Sequence, residues 1–512
     1  MITNESYVAK AQLTAERLLV LKSPESYSDA LTLGTLQGLV ANKSTEQIIF
    51  SEGAFDAYLP ILKKEFGCHA AYKDENREEW NAKNLLSYFM PLVDGYILTK
   101  SDKSSECTYV AISLSAPLNA VVVTEENEQV AKDTGLAMLI DARELDDNWL
   151  RSSPFWSNIN RDIAVEQPLS EAPRLIDYAV MTGAYFSIYN GKDQDAHTEK
   201  YRYLNDGATV YGWNATLGEY DTVMSFAKLN ACLVPADHAS NISTLSSFDL
   251  DSIMQSTKSL SERYSERKHT ACFVMSDGDN IQWLLNKYMT DEKWYASRHR
   301  GKFSLGWGLP ATTIDVAPAM VKYAYDNMTD EDEFIMQLSG VGYTFPSYWD
   351  KTELEKMASK VSDYMDRMKM KYAEILDDEG FCVEHFDPFT KQEGIDGIFY
   401  IDYWNYAGMK GDILWSNEKP VVSAKYRLWA ELEDGQIDYI ANAINSSSTD
   451  PASPEAYSFI IVHCWSGLDR EGNLVPDGNT VDAVKAVIDK LSRDVDVVTP
   501  SEFMTRVIAN LK

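Results

Sequence analysis

The sequence predicts an α/β protein in two parts. An N-terminal doubly wound parallel-sheet region is followed by a C-terminal (β/α) barrel of seven or eight strands. Three observations lead to this expectation. Short apolar runs alternate with helical periodicity along most of the chain. The second half is about 250 residues long, the usual size of such a barrel. Polar and acidic residues collect directly after its apolar runs, where a barrel holds its working groups.

In the first half, residues 32–40 carry helical spacing, and Gln47-Ile48-Ile49-Phe50 reads as a strand. A helix is expected over 54–66, then strands over 95–98, 120–123 and 137–141. Short apolar strands separated by helices imply a parallel sheet covered on both faces. No Gly-x-Gly-x-x-Gly follows the first strand, so a dinucleotide site is not supported. Tyr178-Ala179-Val180-Met181 and Thr209-Val210-Tyr211-Gly212-Trp213 read as further strands. The serine-rich stretch 243–261 reads as a linker or surface helix. These shifts divide the chain into 1–150, a parallel-sheet domain, and 151–260, a second α/β segment and linker that can belong to the first domain. The barrel domain then takes 261–512.

Eight strands are expected in the second half, at 270–275, 302–307, 334–338, 372–376, 397–401, 420–424, 458–462 and 495–498. Helices are expected between them at 317–327, 352–370, 379–391 and 480–492. Sequential parallel strands joined by helices can close into a barrel, and seven strands would fit nearly as well as eight.

Composition narrows the function classes. The chain has 512 residues, 45% of them hydrophobic and 24% charged, as in a soluble globular protein. Its formal net charge of -31 argues against a nucleic-acid or anionic-membrane partner, since either needs a basic face. No apolar run reaches the roughly 20 residues of a membrane span. The opening residues, Met1-Ile2-Thr3-Asn4-Glu5-Ser6, lack the basic and apolar regions of a signal peptide. Six cysteines lie far apart and form no Cys-x-x-Cys pair, so neither a zinc cluster nor a disulfide-stapled fold is expected.

The candidate chemistry lies after the expected strands. The first is followed by Ser276-Asp277-Gly278-Asp279-Asn280-Ile281-Gln282-Trp283. Two carboxylates about a glycine, with an amide beside them, can supply an acid or base, bond sugar hydroxyls or hold a divalent cation. They can equally cap the next helix. Trp307 follows the second strand between two glycines, either as a stacking platform or as core. Asp377 and Asp378 follow the fourth strand, Asp402, Tyr403 and Trp404 the fifth, His463 the seventh and Glu502 the eighth. Each alone is more often structural than catalytic, and convergence at successive strand ends is what raises the expectation. Among the reactions that paired acids can serve, glycosidic hydrolysis usually takes two carboxyl groups flanking the bond. Asp277 or Asp279 is expected to supply one and Asp402 the other. Asn280, Trp283, Trp307, Tyr343, Asp378, Tyr403, Trp404, His463 and Glu502 are the expected substrate-binding residues. No cofactor is required, although a divalent cation on Asp277 and Asp279 would be compatible.

After the third strand comes Gly340-Val341-Gly342-Tyr343-Thr344-Phe345-Pro346. Glycines there let the backbone turn, and flat rings beside the turn suit a sugar ring. The stretch resembles the signature of the GxGYxYP family of putative glycoside hydrolases, with Phe345 in place of the second tyrosine. Supporting motifs in the same order are Met275-Ser276-Asp277-Gly278-Asp279-Asn280, His299-Arg300-Gly301-Lys302 and Gly306-Trp307. In the first half, Thr35-Leu36-Gln37-Gly38-Leu39 and Pro235-Ala236-Asp237-His238-Ala239-Ser240-Asn241 are similar to the family's N-terminal partner domain. The resemblance implies a glycan substrate, polysaccharide degradation on a TIM barrel and an extracytoplasmic protein. Two other readings stay open: a non-catalytic carbohydrate-binding protein, and a metal-dependent sugar deacetylase. For the latter the Asp-Gly-Asp stretch is similar, but its His-x-x-x-His pair is missing.

Overall fold

The computed structural model describes residues 8–255 and 266–512. The chain divides into two compact units. The first runs to Leu250 and also takes in Ile281–Asn286 and Asp315–Tyr323, while the second holds the rest to Lys512. The expected linker stretch begins with a short helix, Ile242–Leu245, and its part over 256–265 lies outside the described residues.

The first unit contains three small parallel sheets in place of one large one. In the first, Arg17–Leu21 lies between Glu46–Phe50 and His69–Ala71. In the second, Gly95–Thr99 lies between Ala120–Thr124 and Met138–Asp141. The third runs in the order Cys232–Pro235, Thr209–Gly212, Ile163–Glu166, Tyr185–Ser187. Each winds outward in both directions from an early strand, which is the doubly wound rule applied three times on a small scale.

Residues 178–181 are not a strand but part of the helix Ile176–Thr182, which ends at Gly183 with φ 67°. Every residue of that helix is buried. A segment apolar on all sides carries no helical period, so its sequence cannot be told from a buried strand. The helix packs against Tyr27–Ala41 at close range: a Cβ on Gly38 would fall 2.3 Å from the Asp177 carbonyl oxygen. Gly38→Ala therefore costs on the order of 1–3 kcal/mol despite alanine's better helix propensity, because backbone cannot yield as a side chain can. A lower urea midpoint with unchanged slope would report it.

The N-terminal motif residues meet in space. Gln37 Nε2 donates to the Ile48 carbonyl at 2.9 Å and to Asn241 Oδ1 at 3.0 Å. Asn241 in turn accepts from Phe50 N at 2.8 Å and donates to Phe50 O at 3.0 Å. Both side chains are buried and bonded, a structural use of polar groups that clamps helix, strand and loop together.

The second unit is built on one large curled sheet. Its order is Ile413–Ser416, Lys419–Ser423, Gly397–Asp402, Tyr372–Asp377, Asp332–Met336, Leu305–Leu309, His269–Met275, Tyr457–Val462, Tyr426–Leu428. Neighbours are parallel except the first pair, which is an antiparallel hairpin. Lys419–Ser423 and Tyr426–Leu428 are nearly consecutive in sequence, yet lie near opposite ends of this order. The sheet must therefore curl until its two ends meet along one stretch of chain. Among the described residues, Val495–Val497 pairs only with His269–Ala271, at the N-terminal start of that strand. Helices Pro318–Asp326, Lys351–Met368, Val383–Thr390, Ile437–Asn445 and Thr480–Ile488 occupy the crossovers, and Pro500–Leu511 ends the chain. The expected helix over 379–391 starts later because Gly380, with φ 103°, first turns the chain. Among the described residues, no helix is long and apolar enough to cross a membrane.

Candidate active site

Gln337, just past the strand Asp332–Met336, organises one end of the curled sheet. Its Oε1 accepts from Gly278 N at 2.9 Å. Its Nε2 donates to Met275 O at 3.0 Å and to Glu374 Oε1 at 2.8 Å. The ends of the first and third long strands and the middle of the fourth are thus tied by a single buried amide. Two glycines make room for it. A Cβ on Gly308 would sit 1.7 Å from Gln337 Oε1, and one on Gly278 would sit 1.9 Å from Gly308 O.

Glu374 is 1% exposed, in the middle of the strand Tyr372–Asp377. Its Oε2 makes no hydrogen bond among the described residues. Burial pushes its carboxyl well above the usual range, the neighbouring charges of Asp279 and Asp277 push the same way, and the Gln337 bond only partly offsets them. Glu374 is thus a buried acid beside two aspartates, in a place that disfavours its charged form. Sequence reasoning passed over it as part of an apolar run. The available signal was one acid inside a strand that is otherwise apolar, since a carboxyl in such a place has to be paired or protonated.

Asp277 opens the loop after the first strand with φ 59°, a left-handed conformation that Asp and Asn tolerate best among residues with a side chain. Its carboxylate accepts from the Ser276 hydroxyl, and that hydroxyl accepts from Cys464 N at 3.2 Å. Burial pushes the Cys464 thiol up, and the adjacent Asp277 adds to the effect. His463, at the end of Tyr457–Val462, accepts or donates through Nδ1 to Ser466 Oγ at 2.9 Å. Its ring lies flat on Trp429, with centroids 3.8 Å apart and planes 3° apart. Burial lowers the His463 pKa, and Asp277 and Glu431 partly counter it. A mostly neutral imidazole therefore faces the Asp277 loop.

A second group of acids sits on the fourth and fifth strands, where Asp377 and Asp402 are register partners. Asp377 is fully buried and accepts from Ser347 N at 2.9 Å, Ser347 Oγ at 2.6 Å and Asp378 N at 2.9 Å. Burial nevertheless pushes it up to about 6, while Ser347 and His385, 4.0 Å away, pull it down. The sign follows directly. A carboxyl whose folded value lies above its unfolded one stabilises the fold fully below about pH 4 and loses that contribution as the pH rises through about 6. Asp377→Asn should remove this dependence, on the order of 2–3 kcal/mol, when urea midpoints are compared at acid and neutral pH.

Asp378 accepts from Tyr348 OH at 3.3 Å, and Asp402 accepts from Asn405 N at 2.8 Å. Ser347 and Tyr348 directly follow the glycine-aromatic stretch, so that loop serves the acids of the fourth strand. Tyr343 is buried, edge-on to Phe345 at 5.8 Å, and Phe345 is edge-on to Tyr403 at 5.2 Å. Trp404 packs edge-on against Tyr403 and is 66% exposed.

Of the residues expected from sequence, Asp277, Asp279, Asn280 and His463 gather around the first strand, with Asn280 Nδ2 3.3 Å from Asp279 Oδ1. Asp378, Asp402, Tyr403 and Trp404 gather at the fourth and fifth. Three do not join them. Trp307 is wholly buried within the strand Leu305–Leu309, its indole donating to Asp332 Oδ1 at 2.9 Å and its rings meeting Tyr288 and Tyr295. It is core, not an open platform. Trp283 lies in Ile281–Leu285, a segment belonging to the first unit, 6.1 Å from the His238 ring. Glu502 lies at the opposite end of the sheet. It is locked to Arg506 at 2.6 Å, and Arg506 reaches Thr270 and Asp496. The cause is the short eighth strand, which stops level with Ala271, so the following helix starts near the strands' N-terminal ends. Among the described residues, no group of three or more His, Cys, Asp or Glu is arranged to hold a metal ion.

Residues 267–507 match the family model described as "GxGYxYP putative glycoside hydrolase C-terminal domain". Residues 93–159 match the GxGYxYP_N second domain and 161–247 the GxGYxYP third domain. The chain is similar to the crystal structure of a "putative hydrolase" from Bacteroides thetaiotaomicron, at 27% identity and a TM-score of 0.86, over 99% of this chain and 98% of that one. A 4-alpha-glucanotransferase from Thermococcus litoralis aligns at 11% identity and a TM-score of 0.33, over 46% of this chain and 40% of that one, too low to bear on function. No curated protein matches the chain.

Proposed function

The chain belongs to the GxGYxYP family of putative glycoside hydrolases, and on that premise we propose that it cleaves glycosidic bonds of an oligo- or polysaccharide at the C-terminal mouth of the curled sheet, read as a (β/α) barrel. One observation carries the reading. Partly exposed acids, Asp277 and Asp402, stand at the ends of the first and fifth long strands, the one near buried Glu374 and the other in register with buried Asp377. Glycoside hydrolysis takes two carboxyl groups that can reach the substrate.

In this reading Asp277 or Asp279 supplies one catalytic carboxyl and Asp402 the other. Asp277 and Asp402 are both partly exposed at strand ends, as groups that touch substrate must be. Glu374 is too buried to touch it and acts as a positioning residue, through Gln337 on the Gly278 backbone. Trp404 and Tyr403 offer the open aromatic surface for a sugar ring, a role that buried Trp307 and Tyr343 do not fill.

The test is a panel of oligosaccharides and polysaccharides incubated with the purified protein, reading released reducing sugar. Release from at least one neutral glycan is expected. Saturable binding with no release across the panel would replace hydrolysis by carbohydrate binding alone.

A further inference from the structure

We propose that the first unit carries its own binding site for an uncharged sugar unit, in the cavity at the carboxyl end of the strand Tyr185–Ser187. The cavity encloses about 320 Å³, at the lower end of the roughly 300–1,000 Å³ range of small-molecule sites. It lies beside an edge strand of the third sheet, and its lining joins the end of that strand to Glu106, Tyr109 and Val110 of the helix Glu106–Leu118 and to Asp147 and Lys200.

The lining argues for the chemistry. Ser187 lines it, its buried hydroxyl bonded to Tyr201 OH at 2.9 Å. Tyr109 forms a wall, fixed by stacking on Phe186 at 5.8 Å and by accepting from Leu169 N at 3.2 Å. A ring held in this way loses little entropy when a sugar face packs on it. Glu106 and Asn190 are exposed at the rim and present an acceptor and an amide to hydroxyl groups.

Charge within the cavity is already matched. Asp147 accepts from Arg151 Nε at 2.8 Å and from Tyr185 OH, and Lys200 Nζ lies 3.8 Å from it. Lys200 also lies 5.4 Å from the Tyr185 ring centroid. Arg151, which does not line the cavity, is paired to Asp147, and the lining itself sets Lys200 against Asp147 and Glu106, which leaves no excess positive charge to draw a phosphate or carboxylate. A ligand rich in hydroxyls and without charge satisfies such a mixture of donors, acceptors and rings.

This inference goes beyond hydrolysis at the curled sheet and does not depend on it. Saturation-transfer NMR on the full chain tests it, with glucose, galactose, mannose and N-acetylglucosamine as neutral probes, and sodium glucuronate and sodium phosphate as anionic ones. At least one neutral sugar should bind saturably, and Asn190→Ala and Tyr109→Leu should each weaken it about tenfold or more, while Asp277→Asn leaves it unchanged. Should Tyr109→Leu fail to fold, Asn190→Ala at the exposed rim decides. Failure of all neutral sugars to bind, binding of the anions instead, or a signal lost in Asp277→Asn but kept in Asn190→Ala would overturn the proposal. Sugar binding that survives while no glycan is cleaved would remove the hydrolase reading and leave this one standing.

Discussion

Asp277→Asn is expected to lower glycan cleavage by about two to four orders of magnitude while leaving the thermal midpoint within a few degrees of the parent. The exchange is nearly isosteric. Asparagine tolerates the left-handed φ of 59° at this position as readily as aspartate, so the Gly278 turn should persist. Its amide oxygen can still accept from the Ser276 hydroxyl. What is lost is the negative charge at the mouth, which hydrolysis requires and mere folding does not. Asp402→Asn is expected to behave alike, since an amide oxygen can still accept from Asn405 N. If both variants cleaved at the parental rate, the carboxylate assignment would fall. A steep loss in Asp277→Asn with none in Asp402→Asn would move the second carboxyl elsewhere, with Asp378, just past the adjoining strand, the next candidate.

Glu374 offers the second large effect, and two variants separate its contributions. Glu374→Ala removes the acceptor of Gln337 Nε2 and opens a void inside the sheet, so a loss of about 2–4 kcal/mol is expected. Cleavage should fall with it, because Gln337 also holds the Gly278 amide between the two aspartates. Glu374→Gln keeps the shape and stays uncharged. Since burial and the charges of Asp279 and Asp277 hold the native carboxyl well above its unfolded value, its stabilising contribution is complete at acid pH and is lost as the pH rises through the folded value. The glutamine variant should therefore be close to the parent at acid pH and relatively more stable at alkaline pH. Urea midpoints over that range check it, and an unchanged pH slope would mean that Glu374 is ionised in the folded state.

Much of the architecture could be read from the sequence, because strands and helices announce themselves by spacing. All eight apolar runs of the second half are strands, from His269–Met275 to Val495–Val497. Ile176–Thr182 escaped because a helix buried on every side has no period to detect. Asp277, Asp279, Asp378 and Asp402 stand out in the sequence as candidates because they end or follow apolar runs. Trp307 misled because the strand extends two residues past it, to Leu309, turning an expected loop residue into core. Glu502 misled because nothing local tells how far along its neighbour a three-residue strand pairs.

By itself the sequence determined membership of the family, the order of strands and helices in the second half, and a formal net charge of -31. These depend on residue identity and on spacing along one dimension. The tertiary structure alone decided which acids are buried and which side chains meet. Gln337 reaches Gly278 and Glu374, 59 and 37 positions away, and burial, with Asp279 and Asp277 near it, pushes the Glu374 carboxyl up. Burial and charge proximity are properties of such distant contacts, and no periodicity along the chain encodes them.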